Sequence, residues 1–140
     1  MVKQKTISKK LYFCEYFYEY SLVYVISSVF MAFLLIKNLA NTEIETSMQV
    51  SILKNLQLNF VDFMHACGGK GRCVTCKIQI LEGENMLSTL TDAENNFKNL
   101  NLLKENERLA CQTYISDFEE DFLIISVPKE TQLPHLEYLD

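Results

Sequence analysis

Apolar and polar positions change period several times along this chain. Residues 76–82 alternate, with polar Lys77 and Gln79 against Ile78 and Ile80, which predicts a half-buried strand ended by Gly83. Residues 122–127 form a short apolar run stopped by Pro128, the pattern of a final strand. Residues 33–39 read as a first strand and 44–46 as a second, with a turn at 41–43. Thr46-x-x-Gln49 has the form of a capping box, and Val50, Leu53 and Leu56 put apolar weight on one side of a helix over about 47–58. Thr91-x-x-Glu94 has the same form and opens a second, shorter helix to about Leu100. Residues 109–114 are expected as a strand, 59–66 as the lead into a long loop, and 129–140 as a mobile tail. Short strands around one main helix predict an α+β domain. Neither internal repeats nor low-complexity segments are present.

Composition adds a bound and a bias. The chain has 140 residues, 49% hydrophobic and 22% charged, which is enough for one globular domain. Its net charge is −5, unevenly spread: residues 82–121 hold ten acids against three bases, Lys98, Lys104 and Arg108. Such a surface repels nucleic acid. It would attract a basic patch on a protein partner, or it would simply be a solvated face.

Cysteine carries the chemistry. Cys67, Cys73 and Cys76 lie in His65-Ala-Cys-Gly-Gly-Lys-Gly-Arg-Cys-Val-Thr-Cys76, and Cys111 lies in Leu109-Ala-Cys-Gln112. The spacing is C-x5-C-x2-C, then 34 residues, then C. Gly68, Gly69 and Gly71 can take positive φ, so a loop can wrap tightly with its amides turned inward toward a negative group. Three thiols on such a loop and one from a distant segment suit an iron–sulfur cluster. Lys70 and Arg72 would add positive charge at the rim. Structural zinc is an alternative, although zinc sites usually pair two short knuckles and Cys111 stands alone. A disulfide framework is another, but five cysteines is an odd count and gives the glycines no purpose. His65 and His135 are expected as surface residues and not as a Rieske-type ligand pair, and Cys14 as a free thiol. Paired catalytic carboxylates, a Ser-His-Asp arrangement, G-x-G-x-x-G and a P-loop are all missing from the sequence, which argues against an enzyme.

From about Ala32 to Lys129 the sequence resembles the [2Fe–2S] ferredoxins of the C-x5-C-x2-C type, most clearly at residues 67–77 and 109–112. The first gap is one residue longer than in plant-type ferredoxins. Adrenodoxin-like members usually carry His after the third cysteine, where this chain has Lys77, so it is more similar to bacterial ferredoxins and to ferredoxin domains of reductases. The resemblance implies a β-grasp domain with a cluster-binding loop, a [2Fe–2S] cofactor, and Cys67, Cys73, Cys76 and Cys111 as its ligands. It implies a one-electron carrier between a ferredoxin reductase or other flavoprotein donor and an acceptor oxidoreductase, at a potential on the order of −400 to −150 mV. An electron-transfer subunit of a larger oxidoreductase complex is the second reading, and a zinc-stabilised interaction module the third.

The N-terminal end is unlike the rest. Lys3, Lys5, Lys9 and Lys10 precede an apolar, aromatic run from Leu11 to Ile36, interrupted by Glu15 and Glu19. Residues 20–36 reach only the lower limit for a spanning helix, and the domain's first strand claims the last few of them. The lysines would place the cluster domain outside, and no A-x-A-like cleavage site follows. Residues 1–31 are therefore expected to be an apolar extension, either untranslated with a start at Met31 or an anchor, ahead of a domain at 32–129 and a tail at 130–140. The expected location is the cytoplasm, with anchoring through 11–36 as the weaker alternative.

Overall fold

The computed structural model describes residues 32–117 and 122–139. The N-terminal extension, the Met31 start and Cys14 lie outside these residues, as does the expected anchor at 11–36 up to residue 31; its last residues, Ala32–Ile36, are a strand. Five strands form one mixed sheet: β1 (Ala32–Ile36), β2 (Thr42–Thr46), β3 (Lys77–Glu82), β4 (Glu107–Leu109) and β5 (Phe122–Ser126), in the spatial order β2-β1-β5-β3-β4. β1 pairs antiparallel with β2 and parallel with β5, and β3 pairs antiparallel with both β5 and β4. Two helices, α1 (Ile52–Leu58) and α2 (Asp92–Asn99), complete the β-grasp arrangement.

Alternation builds the core. Leu34 and Ile36 of β1, Leu123 and Ile125 of β5, and Ile78 and Ile80 of β3 point inward and meet Ile52, Leu53 and Leu56 of α1. Gly83 ends β3 at φ +86, where an added Cβ would lie 3.0 Å from the Phe122 carbonyl oxygen, so only glycine fits this turn.

Three expectations are corrected. The helix does not start in a capping box at Thr46. Thr46 ends β2 opposite Ala32, and its hydroxyl donates to the Ala32 carbonyl (2.7 Å). Ser51 caps α1 instead, its hydroxyl accepting from the Lys54 amide (3.3 Å), and Val50 precedes the helix. Buried Asn55 grips the intervening turn by accepting from the Ser47 amide (2.8 Å) and donating to the Ser47 carbonyl (3.0 Å). Next, Cys111 is not on a strand. β4 ends at Leu109, because the Gln112 and Thr113 amides turn back to the Leu109 carbonyl (2.9 and 3.0 Å).

The tail, finally, is docked. Thr131 is buried in a 3-10 turn at Lys129–Thr131, Tyr138 packs on the core, and the Leu139 amide donates to the Asn38 carbonyl (2.8 Å). Asn38 also bonds Val127 in both directions (2.9 Å each), so one residue fastens the end of β1, the end of β5 and the tail. Deleting residues 129–140 should lower the thermal midpoint by about 4 °C or more, the shift expected for about 1 kcal/mol in a domain of this size. An unchanged midpoint would show that the docking contributes nothing to stability.

Candidate metal centre

The loop from His65 to Cys76 carries three of the four cysteines. It begins with a turn in which the Gly68 amide donates to the His65 carbonyl (3.0 Å). Gly69 and Gly71 then take φ of +79 and +65, conformations that turn amides inward at little steric cost. Cys67 and Cys73 are half-buried, Cys76 and Cys111 are buried, and all four are free thiols.

The sulfurs group two by two. The Cys67 thiol is within hydrogen-bond reach of Cys73, and that of Cys76 within reach of Cys111. One tetrahedral zinc asks for four ligands around one point, whereas a binuclear cluster asks for two thiolates on each of two irons. The donor set fits the second.

Backbone amides provide the polarity. The Cys67 thiol is held down to about 7, first by the Arg72 amide, against the opposing effect of burial, with the Cys73 thiol and the Lys70 and Gly69 amides adding to it. The Cys111 thiol is held down to about 6, first by a hydrogen bond from Cys76, again against burial, with the Gln112 side chain and the Gly71 amide helping. Cys76, the donor in that pair, is pushed up, first by this bond and then by burial. The 69–72 stretch thus forms a nest of amides aimed at one sulfur of each pair. Thr75 serves Cys73: its hydroxyl accepts from the Ala66 amide (2.9 Å), which leaves its proton free for the Cys73 sulfur (3.1 Å). Lys70 and Arg72 are exposed on the rim, as expected. His65 is an exposed loop residue whose Nδ1 donates to the Phe63 carbonyl (2.6 Å). His135 is exposed beside Asp62 (3.3 Å).

Cys111 reaches the loop through backbone hydrogen bonds. The Ala110 amide donates to the Cys76 carbonyl (2.9 Å), which joins the two segments directly. The Ile52 and Leu53 amides at the start of α1, which have no partner within the helix, donate to the Thr113 and Ala110 carbonyls (2.9 and 2.8 Å). Beneath the turn lies Glu94. It closes the predicted capping box with Thr91 and then does what the sequence does not announce. Its carboxylate accepts from Arg108 Nε (2.8 Å) and Nη2 (3.2 Å), from the Leu109 amide (3.0 Å) and from the Thr113 hydroxyl (3.2 Å). Glu94 is 0% exposed, and burial alone would raise its pKa. The Arg108 guanidinium and the Thr91 and Leu109 amides outweigh that and hold it below the usual range. Sequence reasoning missed Arg108, Thr113 and Gln112. The one local signal was an arginine three residues before a cysteine.

The profile of the 2Fe-2S iron–sulfur cluster binding domain matches residues 37–116, more than half of the chain. The chain belongs to the [2Fe–2S] ferredoxin family. Its cofactor class is therefore the [2Fe–2S] cluster. It is 31% identical over 77 residues to 2Fe-2S ferredoxin-5 of Aquifex aeolicus, covering 54% of this chain and 80% of that protein. It is 33% identical over 87 residues to chlorosome protein I of Chlorobaculum tepidum, where the match covers 62% of this chain and 35% of that longer protein. The fold of the ISC-like [2Fe–2S] ferredoxin from Pseudomonas putida superimposes with a TM-score of 0.56 at 20% identity, over 79% of this chain and 97% of that one. Among the described residues no helix is long and apolar enough to cross a membrane.

Glu94→Gln should cost about 3–5 kcal/mol at neutral pH, because the Arg108 charge stays buried without its partner. The folded-state pKa of Glu94 is lowered, so the wild-type advantage is whole above the ordinary glutamate value of about 4.3. It is lost as pH falls through the folded value. Urea midpoints of the two proteins between pH 3 and 7 check this, and a gap independent of pH would mean that Glu94 is not acting as a charge.

Proposed function

We propose that this ferredoxin is a one-electron shuttle whose cluster ligands are Cys67 and Cys73 on one iron and Cys76 and Cys111 on the other. The observation that carries this reading is the division of four free thiols into two pairs beneath a nest of amides. When bound, the cluster supplies the redox chemistry by taking up and releasing single electrons. The chain's residues do the rest. The four thiolates would hold the irons, the loop amides would stabilise negative charge on the sulfurs, and α1 and the Cys111 turn close the back of the site. The chain works as a carrier and not as an enzyme, within a ferredoxin domain at 32–129, in the cytoplasm where thiols stay reduced.

Electrons would come from a ferredoxin reductase or other flavoprotein and pass to an acceptor oxidoreductase. Exposed Glu82, Glu84, Asp92 and Glu105 give this surface an acidic character suited to a basic docking patch. Glu94 and Glu107 drop out of that surface because both are buried. Glu107 instead receives Lys104 (3.6 Å) and Lys77 (3.8 Å), so the lysine that replaces the adrenodoxin-type histidine is tied into the sheet. A role as a subunit of a larger assembly is the second reading, favoured by the match to a protein named for the chlorosome.

Protein purified without oxygen should be brown, with two irons per chain and a paramagnetic signal on one-electron reduction. Cys111→Ser should weaken or abolish both colour and signal and lower stability, because metal binding is coupled to folding. Cys14→Ser should change neither. A colourless protein with one zinc per chain, or loss of the spectrum in Cys14→Ser, would refute the assignment.

A further inference from the structure

We propose that Gln112 is a potential-setting residue: its side-chain amide donates to the Cys111 sulfur and favours the reduced cluster, with Gly71 as the seat that admits it. The inference rests on the ligand assignment above and adds a residue to it. Gln112 Nε2 lies 3.6 Å from Cys111 Sγ, within range for a donor to sulfur. Nitrogen and not oxygen faces the thiolate, because a carbonyl oxygen there would set two negative ends against each other.

The amide is held where it is by what lies under it. A Cβ built on Gly71 would stand 2.8 Å from Gln112 Cδ and 2.9 Å from Nε2, closer than packed atoms come. The Gln112 amide therefore occupies the space that a side chain at position 71 would fill. Gly71 is also at φ +65, and its own amide points to the same sulfur. Two residues 41 positions apart thus converge on Cys111, one with a backbone donor and one with a side-chain donor. The first pair has a matching arrangement, since the Thr75 hydroxyl lies 3.1 Å from the Cys73 sulfur and can donate to it when that sulfur is a thiolate. Each pair of thiols has one side-chain donor beside its backbone donors.

The consequence follows from charge. A donor to a ligand sulfur stabilises the more negative, reduced state more than the oxidised one, and so raises the potential. Removing it should weaken the hold on the added electron about tenfold, which is about 59 mV for a one-electron couple.

The test is a spectroelectrochemical titration of cluster-loaded wild type, Gln112→Leu and Gln112→Met. Both variants remove the donor, and methionine keeps the length and bulk over Gly71. The expected result is a lower potential in both, with visible absorption per iron retained. Resonance Raman adds a readout that packing alone would not move: the iron–cysteine stretches should lose part of their sensitivity to deuterium exchange. A loaded variant at the wild-type potential would overturn the inference and leave the ligand assignment standing. If neither variant takes up a cluster where wild type does, Gln112 holds the site together and does not tune it, which also overturns the proposal. A wild type that takes up no cluster would instead bring down the ligand assignment.

Discussion

Glu94 and Arg108 bury opposite charges at one place, and the position of the Cys111 turn depends on how completely that burial is satisfied. Taking either group out of water alone would be costly. Here the carboxylate accepts two bonds from the guanidinium, one from a strand amide and one from a threonine hydroxyl, while closing the cap of α2. Two more guanidinium donors go to the Ser88 and Thr89 carbonyls (3.0 and 3.3 Å). No buried side-chain polar atom among the described residues lacks a partner. One carboxylate therefore fixes the start of α2, the end of β4 and the turn that presents Cys111. The turn that carries the fourth thiol is thus held by hydrogen bonds from three directions, the Glu94 carboxylate, the Cys76 carbonyl and the start of α1.

What the sequence disclosed and what it withheld divide along one line. Features set by neighbours in sequence were legible. The glycine-rich cysteine loop is a local constellation, and the Thr91–Glu94 box formed as expected because its two halves lie three residues apart. Features set by distant partners were not. Thr46-x-x-Gln49 has the same local form, but pairing with Ala32 claimed Thr46 for the sheet. The stretch 109–114 has a strand's composition, yet the Ala110 amide is taken by Cys76 and the chain turns. The tail was read as mobile although it carries Leu133, Leu136, Tyr138 and Leu139, an apolar content that signals docking. The second role of Glu94 could not be read at all, because its partner is fourteen residues away.

The electrostatic reading of the chain changes in the same way. Counting charges along residues 82–121 treats every acid as surface. Two of them are structural: Glu94 with Arg108, and Glu107 with Lys77 and Lys104. A docking surface is what remains after burial has taken its share, so net charge along a sequence overstates the field available to steer a partner.

The donors around the thiols fall into two kinds with different consequences. Those from the 69–72 backbone are fixed by φ, and glycines at Gly69 and Gly71 are what permit that path. They are indifferent to side-chain exchange elsewhere in the loop, where Lys70 and Arg72 point to solvent. Thr75 and Gln112 belong to the other kind, with their polar groups on side chains. On the ligand assignment proposed above, a fold built this way would separate the holding of a cluster from the setting of its potential. The first resides in thiols, glycines and a buried ion pair that tolerate little change. The second would rest on side chains such as Gln112, beside one thiol of the buried pair, through which the potential would shift while the cage stays intact.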